Sequence, residues 1–132
     1  MKKILLWLDD LRNPFLNLEN KLPKCDFDEI VWVRSYNEFM YWLLRNGKPY
    51  AVSFDHDLHD EHYTPEEYWN DYEASKKYQE AKLSEYKHET GVQCAKILRV
   101  YCENIDAPLP KTYVHSANPV GCDWIKKELN KF

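Results

Sequence analysis

The chain opens on an uninterrupted apolar run, Ile4 to Leu8, that stops abruptly at two adjacent acids, Asp9 and Asp10. A short run without polar alternation is apolar on both faces, the pattern of a strand inside a parallel sheet covered by helices. The pattern recurs. Glu29 to Arg34 reads as a second strand, and Tyr50 to Phe54 as a third that runs into Asp55-His56-Asp57. Lys111 to Val114 reads as a short fourth strand that runs into His115-Ser116.

Helix signals fall between these runs. Ser35-Tyr36-Asn37-Glu38 matches a capping box, and the helix beyond it carries Phe39, Met40, Leu43 and Leu44 on one side and stops near Gly47. Thr90-Gly91-Val92-Gln93 is a second capping box, followed by Val92, Ala95, Leu98, Tyr101 and Cys102 at helical spacing. Pro108 and Pro110 mark the turn into the fourth strand. Asn118-Pro119 caps and starts a last helix expected to bury Trp124, Ile125 and Leu129.

Residues 59–89 are polar, with nine acids against four lysines, and Thr64-Pro65-Glu66-Glu67 reads as a helix start. This segment is read as a helical insertion, a lid or arm after the third strand. The order predicts an α/β fold: a parallel sheet of about four strands flanked by helices. At 132 residues, the whole chain, 1–132, is expected to form a single domain.

The polar clusters carry the chemistry. In open parallel sheets, ligands bind beyond the carboxyl ends of the strands, so Asp9-Asp10, Asp55-His56-Asp57 and His115-Ser116 are expected on one crest. Carboxylates held together repel unless a cation lies between them, and oxygen donors suit Mg²⁺ or Mn²⁺. Asp9, Asp10, Asp55 and Asp57 are therefore the candidate ligands of a divalent metal; the bland alternative has some of them capping helices or pairing with Arg12 and Arg34. His56, flanked by acids, and His115, after a strand, are candidates to move protons, or else to orient neighbouring acids. The helix start after His115-Ser116 offers N–H groups and a partial positive charge to an anion, which makes Ser116, Asn118 and Gly121 candidate phosphate contacts. Arg12 and Arg34, just past strand ends, have two readings each: a phosphate clamp or a structural ion pair. Tyr63, Tyr68, Trp69 and Tyr72 read as packing for the insertion, with base stacking as the rarer alternative.

Charge limits the partners. A net charge of −4 argues against a protein that coats long nucleic acid, so no extended DNA binding is expected. A small phosphate-containing molecule or a single RNA end remains open. No run is long enough to cross a bilayer and no small-residue cleavage site follows Leu8, so a cytoplasmic setting is expected. Cys25, Cys94, Cys102 and Cys122 form no CxxC pair, which argues against a cysteine zinc site; Cys94 and Cys102 read as small core residues.

Five blocks resemble a known family, the cyclic-phosphate-processing receiver-like domains of bacteria and phages. They are Leu8-Asp9-Asp10-Leu11-Arg12-Asn13-Pro14, Trp32-Val33-Arg34-Ser35, Ser53-Phe54-Asp55-His56-Asp57-Leu58, Thr90-Gly91, and His115-Ser116-Ala117-Asn118-Pro119-Val120-Gly121. The resemblance implies a shortened receiver-like (flavodoxin-like) fold and a role in processing cyclic phosphates, such as the 2′,3′-cyclic ends of RNA. Together with the acid crest, the leading expectation is a metal-dependent phosphoesterase acting on such ends or on cyclic nucleotides. By the same resemblance Asp55 could carry a covalent phosphate. Two departures stand out: His59 follows the Asp-His-Asp-Leu block where the family has Gly, and Cys122 follows Gly121 where a basic residue is common. Two other readings stay open. One is a non-catalytic binder of a cyclic nucleotide or host protein in phage–host conflict, acting in the host cytoplasm. The other is a phospho-aspartate signalling receiver, weakened because no lysine-bearing fifth strand is read after the fourth.

Overall fold

The structure is a computed structural model that describes residues 2–15 and 27–132. Cys25 lies outside the described residues. The strands are β1 (Ile4–Leu8), β2 (Glu29–Val33), β3 (Ala51–Phe54) and β4 (Lys111–Val114). They form one sheet in the order β2-β1-β3-β4, every neighbouring pair parallel. The helices are α1 (Tyr36–Asn46), α2 (Tyr72–Lys82), α3 (Gly91–Asn104) and α4 (Pro119–Leu129).

The apolar runs become strands because both of their faces are covered. Leu6, Leu8, Val52 and Phe54 point into a core shared with Phe39 and Leu43 of α1, Cys94, Ala95, Leu98 and Cys102 of α3, and Ile125 and Leu129 of α4. Leu5, Trp7 and Ala51 point to the other face, against Phe27, Ile30, Trp32, Tyr50 and Tyr113. Two positions expected in the core are not there: Leu44 is 62% exposed and Trp124 is only half-buried. The arc of α1 that faces the sheet is too narrow for Leu44 as well as Phe39 and Leu43.

Three helix starts follow the sequence signals. Ser35 Oγ accepts from Glu38 N–H at 3.1 Å. Thr90 forms a full capping box with Gln93, and Asn118 caps α4 with Pro119 in its first turn. Residues 64–67 do not start an α-helix. Pro65 stands at the cap position and has no side-chain acceptor, so only a three-residue 3₁₀ turn forms at Glu66–Tyr68. The Trp69 indole N–H folds back onto Thr64 O at 2.8 Å. The helix begins at Tyr72, where Asp71 supplies the missing acceptor to Ala74 N–H at 3.1 Å. Among the described residues no helix is long and apolar enough to cross a membrane.

Register places the crest. Trp7 pairs with Trp32 on one side and Ser53 on the other, and Ser53 pairs with Tyr113. Side chains repeat every second residue along a strand, so Arg34, Asp9, Asp55 and His115 form the next row above Trp32, Trp7, Ser53 and Tyr113. The ladder continues one step past the strands to hold that row: Asp9 N–H donates to Val33 O, Asp55 N–H to Leu8 O and His115 N–H to Phe54 O.

Candidate metal and phosphate site

The turn after β1 is held by its carbonyls. Trp32 Nε1 donates to Asp9 O at 2.8 Å, Trp7 Nε1 to Arg12 O at 3.0 Å, and Arg34 Nε and Nη2 both to Asp10 O, at 3.0 and 2.7 Å. Arg34 also lies over the Trp32 ring. Two of its guanidinium nitrogens thus hold the turn, while the side chain stays exposed.

That turn brings Asp9 and Asp10 to Asp55. One carboxylate oxygen from each lies within 4.8 Å of the others. Asp9 is the most heavily bonded: Oδ1 accepts from Leu11 N–H and Arg12 N–H, and Oδ2 faces His115 Nε2 at 3.0 Å and Arg12 Nε at 3.4 Å. Burial pushes its carboxyl up, but these hydrogen bonds and the neighbouring histidine outweigh it and hold Asp9 below the usual range. Burial raises Asp10, with the Asp9 charge adding to it, although Tyr63 Oη donates to both Asp10 oxygens at 3.1 Å. Asp55 is pushed up to about 8, by burial first and then by the Asp9 charge, with Arg12 pulling the other way. Three crowded carboxylates, one of them pushed well above its usual range by burial and its neighbours' charge, form a group that could hold a metal ion.

Asp57, a fourth candidate ligand, stands apart from that cluster. Its Oδ1 receives His56 Nδ1 at 2.6 Å and Asn118 Nδ2 at 3.1 Å. Asp55 and Asp57 both line a cavity of about 390 Å³, with Arg12, Tyr63, Thr64, Trp69, Ser75, Ser116, Ala117, Asn118 and Pro119. His56 turns the other way and is completely buried. It is wedged under α4, so close that a Cβ on Gly121 would lie 2.3 Å from its Cγ, and its Nε2 has no partner.

His115 is buried as well. Its ring stacks on Trp7 at 3.8 Å, Nδ1 meets Ser53 Oγ at 2.7 Å, and Nε2 meets Asp9. A serine hydroxyl donating to Nδ1 leaves the proton on Nε2, directed at Asp9. Neither histidine is among the residues that line the cavity; His56 meets Asp57 and His115 meets Asp9.

At the start of α4, the polar groups are mostly spent on one another. Ser116 Oγ accepts from Asn118 N–H at 3.0 Å, and Asn118 Oδ1 accepts from Gly121 N–H at 3.0 Å. The Gly121 N–H is thus already bonded within the cap, and the missing Cβ makes room for His56. Arg12, Ser116 and Asn118 do border the cavity.

Several residues were not singled out by sequence reasoning. Gln79, in the polar segment, is completely buried and exchanges two hydrogen bonds with Asn118, at 3.2 and 2.7 Å. Nothing in a helix of such low hydropathy marks it. Ser53 and the aligned pair Trp7 and Trp32 did leave a signal, as polar or polar-tipped residues inside otherwise aliphatic strands. Tyr63 is a packing residue by sequence, yet it reaches Asp10.

No curated protein and no solved structure matches the chain. A family model described as the cyclic-phosphate processing receiver domain matches residues 4–131, nearly the whole chain. With its four-stranded parallel sheet, flanking helices and acid-bearing crest, the chain belongs to the cyclic-phosphate processing receiver domain family.

Proposed function

We propose that the protein cleaves a cyclic phosphate ester in the cavity beside the three-carboxylate cluster. The observation that carries this reading is that Asp55 belongs to both places, one wall of the cavity and one corner of the Asp9, Asp10, Asp55 group. Those three residues would hold a divalent cation, which when bound supplies charge neutralisation and Lewis acidity toward phosphate oxygens.

The chain's own groups divide the remaining work. Arg12 has Nε turned to Asp9 and Nη1 donating to His115 O at 3.1 Å, which leaves Nη2 for a phosphate oxygen. Opening a cyclic ester with water breaks one ring P–O bond, forms another P–O bond, and moves a proton from the water to the departing oxygen. Asp57 is the group placed for that transfer: it lines the cavity and its Oδ1 is anchored by His56 and Asn118, which leaves Oδ2 to the ligand. His56 acts through Asp57, and His115 through Asp9. Residues 59–89 serve as a lid, since Tyr63, Thr64, Trp69 and Ser75 form one wall.

Phosphorus NMR tests this directly. RNA with a 2′,3′-cyclic phosphate end, cyclic mononucleotides and cyclic dinucleotides are incubated with the protein and Mg²⁺, or with chelator. Turnover that needs Mg²⁺ and disappears in Asp55→Asn supports the reading. Tight binding without turnover replaces it with sequestration. Stable labelling of Asp55 by acetyl phosphate without product release replaces it with a phospho-aspartate switch.

A further inference from the structure

A second group of metal-ligating side chains lies outside the crest, where residues 59–89 begin and end. His59, Glu61 and His88 each offer a ligand atom, all within 4.8 Å of one another. The donor set is two imidazoles and one carboxylate, unlike the all-oxygen set of the crest. Imidazole selects zinc and its neighbours, and two histidines with one carboxylate and an open position are a common zinc environment.

The backbone beneath these side chains is tightly held. Glu61 accepts from Lys87 N–H and His88 N–H, and Oε2 meets His88 Nδ1 at 2.9 Å. His62 is completely buried, and its Nδ1 accepts from Leu58 N–H at 3.0 Å. That bond puts its proton on Nε2, which donates to His88 O at 2.8 Å. His62 thus fixes the main chain that presents His88, while having no nitrogen left to ligate. The His59 and His88 rings stack at 3.7 Å and 10°. His59 and His88 are both exposed. Zn–N bonds of about 2.0 Å at tetrahedral angles would hold the donors about 3.3 Å apart, so binding would turn the two rings out of their stack.

We propose that His59, Glu61 and His88 bind a zinc-class transition-metal ion that clips the two ends of the 59–89 segment together. The clip sits two residues before the α3 cap, Thr90, and holds the segment that carries Tyr63, Thr64, Trp69 and Ser75 into the cavity wall. It stands whether or not the cavity cleaves a cyclic phosphate.

The full chain, stripped with chelator and then held in excess Mg²⁺ to occupy the crest, is titrated with Zn²⁺ by calorimetry and its bound metal counted. One Zn²⁺ per chain is expected, weakened tenfold or more in His59→Ala and in His88→Ala and unchanged in Asp10→Asn. In the unmodified protein, ring-proton NMR signals of His59 and His88 shift on adding Zn²⁺, and Zn²⁺ slows proteolysis within 59–89. Zinc binding that survives in the His59→Ala/His88→Ala double variant, that is lost in Asp10→Asn, or that leaves both ring signals unmoved overturns the proposal.

Discussion

His115 Nε2 lies 3.0 Å from Asp9 Oδ2, joining the end of β4 to the end of β1 across the sheet. The histidine is held from behind by the Trp7 ring and Ser53, with Nε2 turned to the carboxylate. A partner that orients a metal ligand affects metal affinity by about 10–100-fold. His115→Gln is therefore expected to weaken Mg²⁺ binding by that factor in calorimetry, and to regain most of its turnover at high Mg²⁺. If His115 moved a proton at the substrate instead, no concentration of Mg²⁺ would restore the rate.

Gly121 makes room for the buried His56 ring. A methyl group at 121 would lie 2.3 Å from His56 Cγ, and neither α4 nor the sheet end can yield freely. Overpacking of this kind costs about 1–3 kcal/mol. Gly121→Ala should lower the urea midpoint by a matching amount, and His56→Ala in the same chain should recover part of it. Equal losses that simply add would place the two residues out of contact.

The sheet and three of the four α-helices among the described residues follow directly from the sequence, because apolar runs and capping residues report on their own neighbourhoods. Ile4 to Leu8 needed no partner to read as a buried strand, and Asn118-Pro119 announces α4 by itself. Pairings across the sheet are different in kind. That Arg34 turns back onto Asp10 O, and that His56 points under α4 while Asp55 and Asp57 face the cavity, depends on register and on where β3 stops. The start of α2 was missed because Thr64-Pro65 carries the usual signs, while the acceptor actually used, Asp71, sits among many acids of equal appearance. Gln79 is hard to see in the sequence for a related reason: its buried side chain is bonded to Asn118, 39 residues away.

Tyr63 Oη donates to both oxygens of Asp10, at 3.1 Å each, from the segment that walls the cavity. A cation drawing on the same carboxylate competes with that hydroxyl. A hydrogen bond to a charged group is worth about 1.5 kcal/mol at the low end, or roughly tenfold in affinity. Tyr63→Phe is expected to tighten Mg²⁺ binding by up to about tenfold in calorimetry. Weaker binding in the variant would show that the hydroxyl orients Asp10 for the cation instead of competing with it.

The crest also sets how stability responds to pH. Asp55 keeps its proton to about pH 8 in the metal-free fold, through burial and the Asp9 charge, against an ordinary value of 3.8 when unfolded. Between those values the folded state holds the extra proton, so raising the pH favours unfolding, by at most about 1.4 kcal/mol per pH unit for one proton. Asp9, held low by its hydrogen bonds, works in the opposite sense and only at acid pH, where its stabilisation is lost as pH falls through its folded value. Metal-free protein should therefore lose thermal stability steadily from pH 5 to 8. Saturating Mg²⁺ should flatten that slope by taking the place of the proton, and Asp55→Asn should flatten it without metal. A metal-free stability that rises over this range would mean that Asp55 ionises with the other carboxylates and that the cluster carries its charge without a cation.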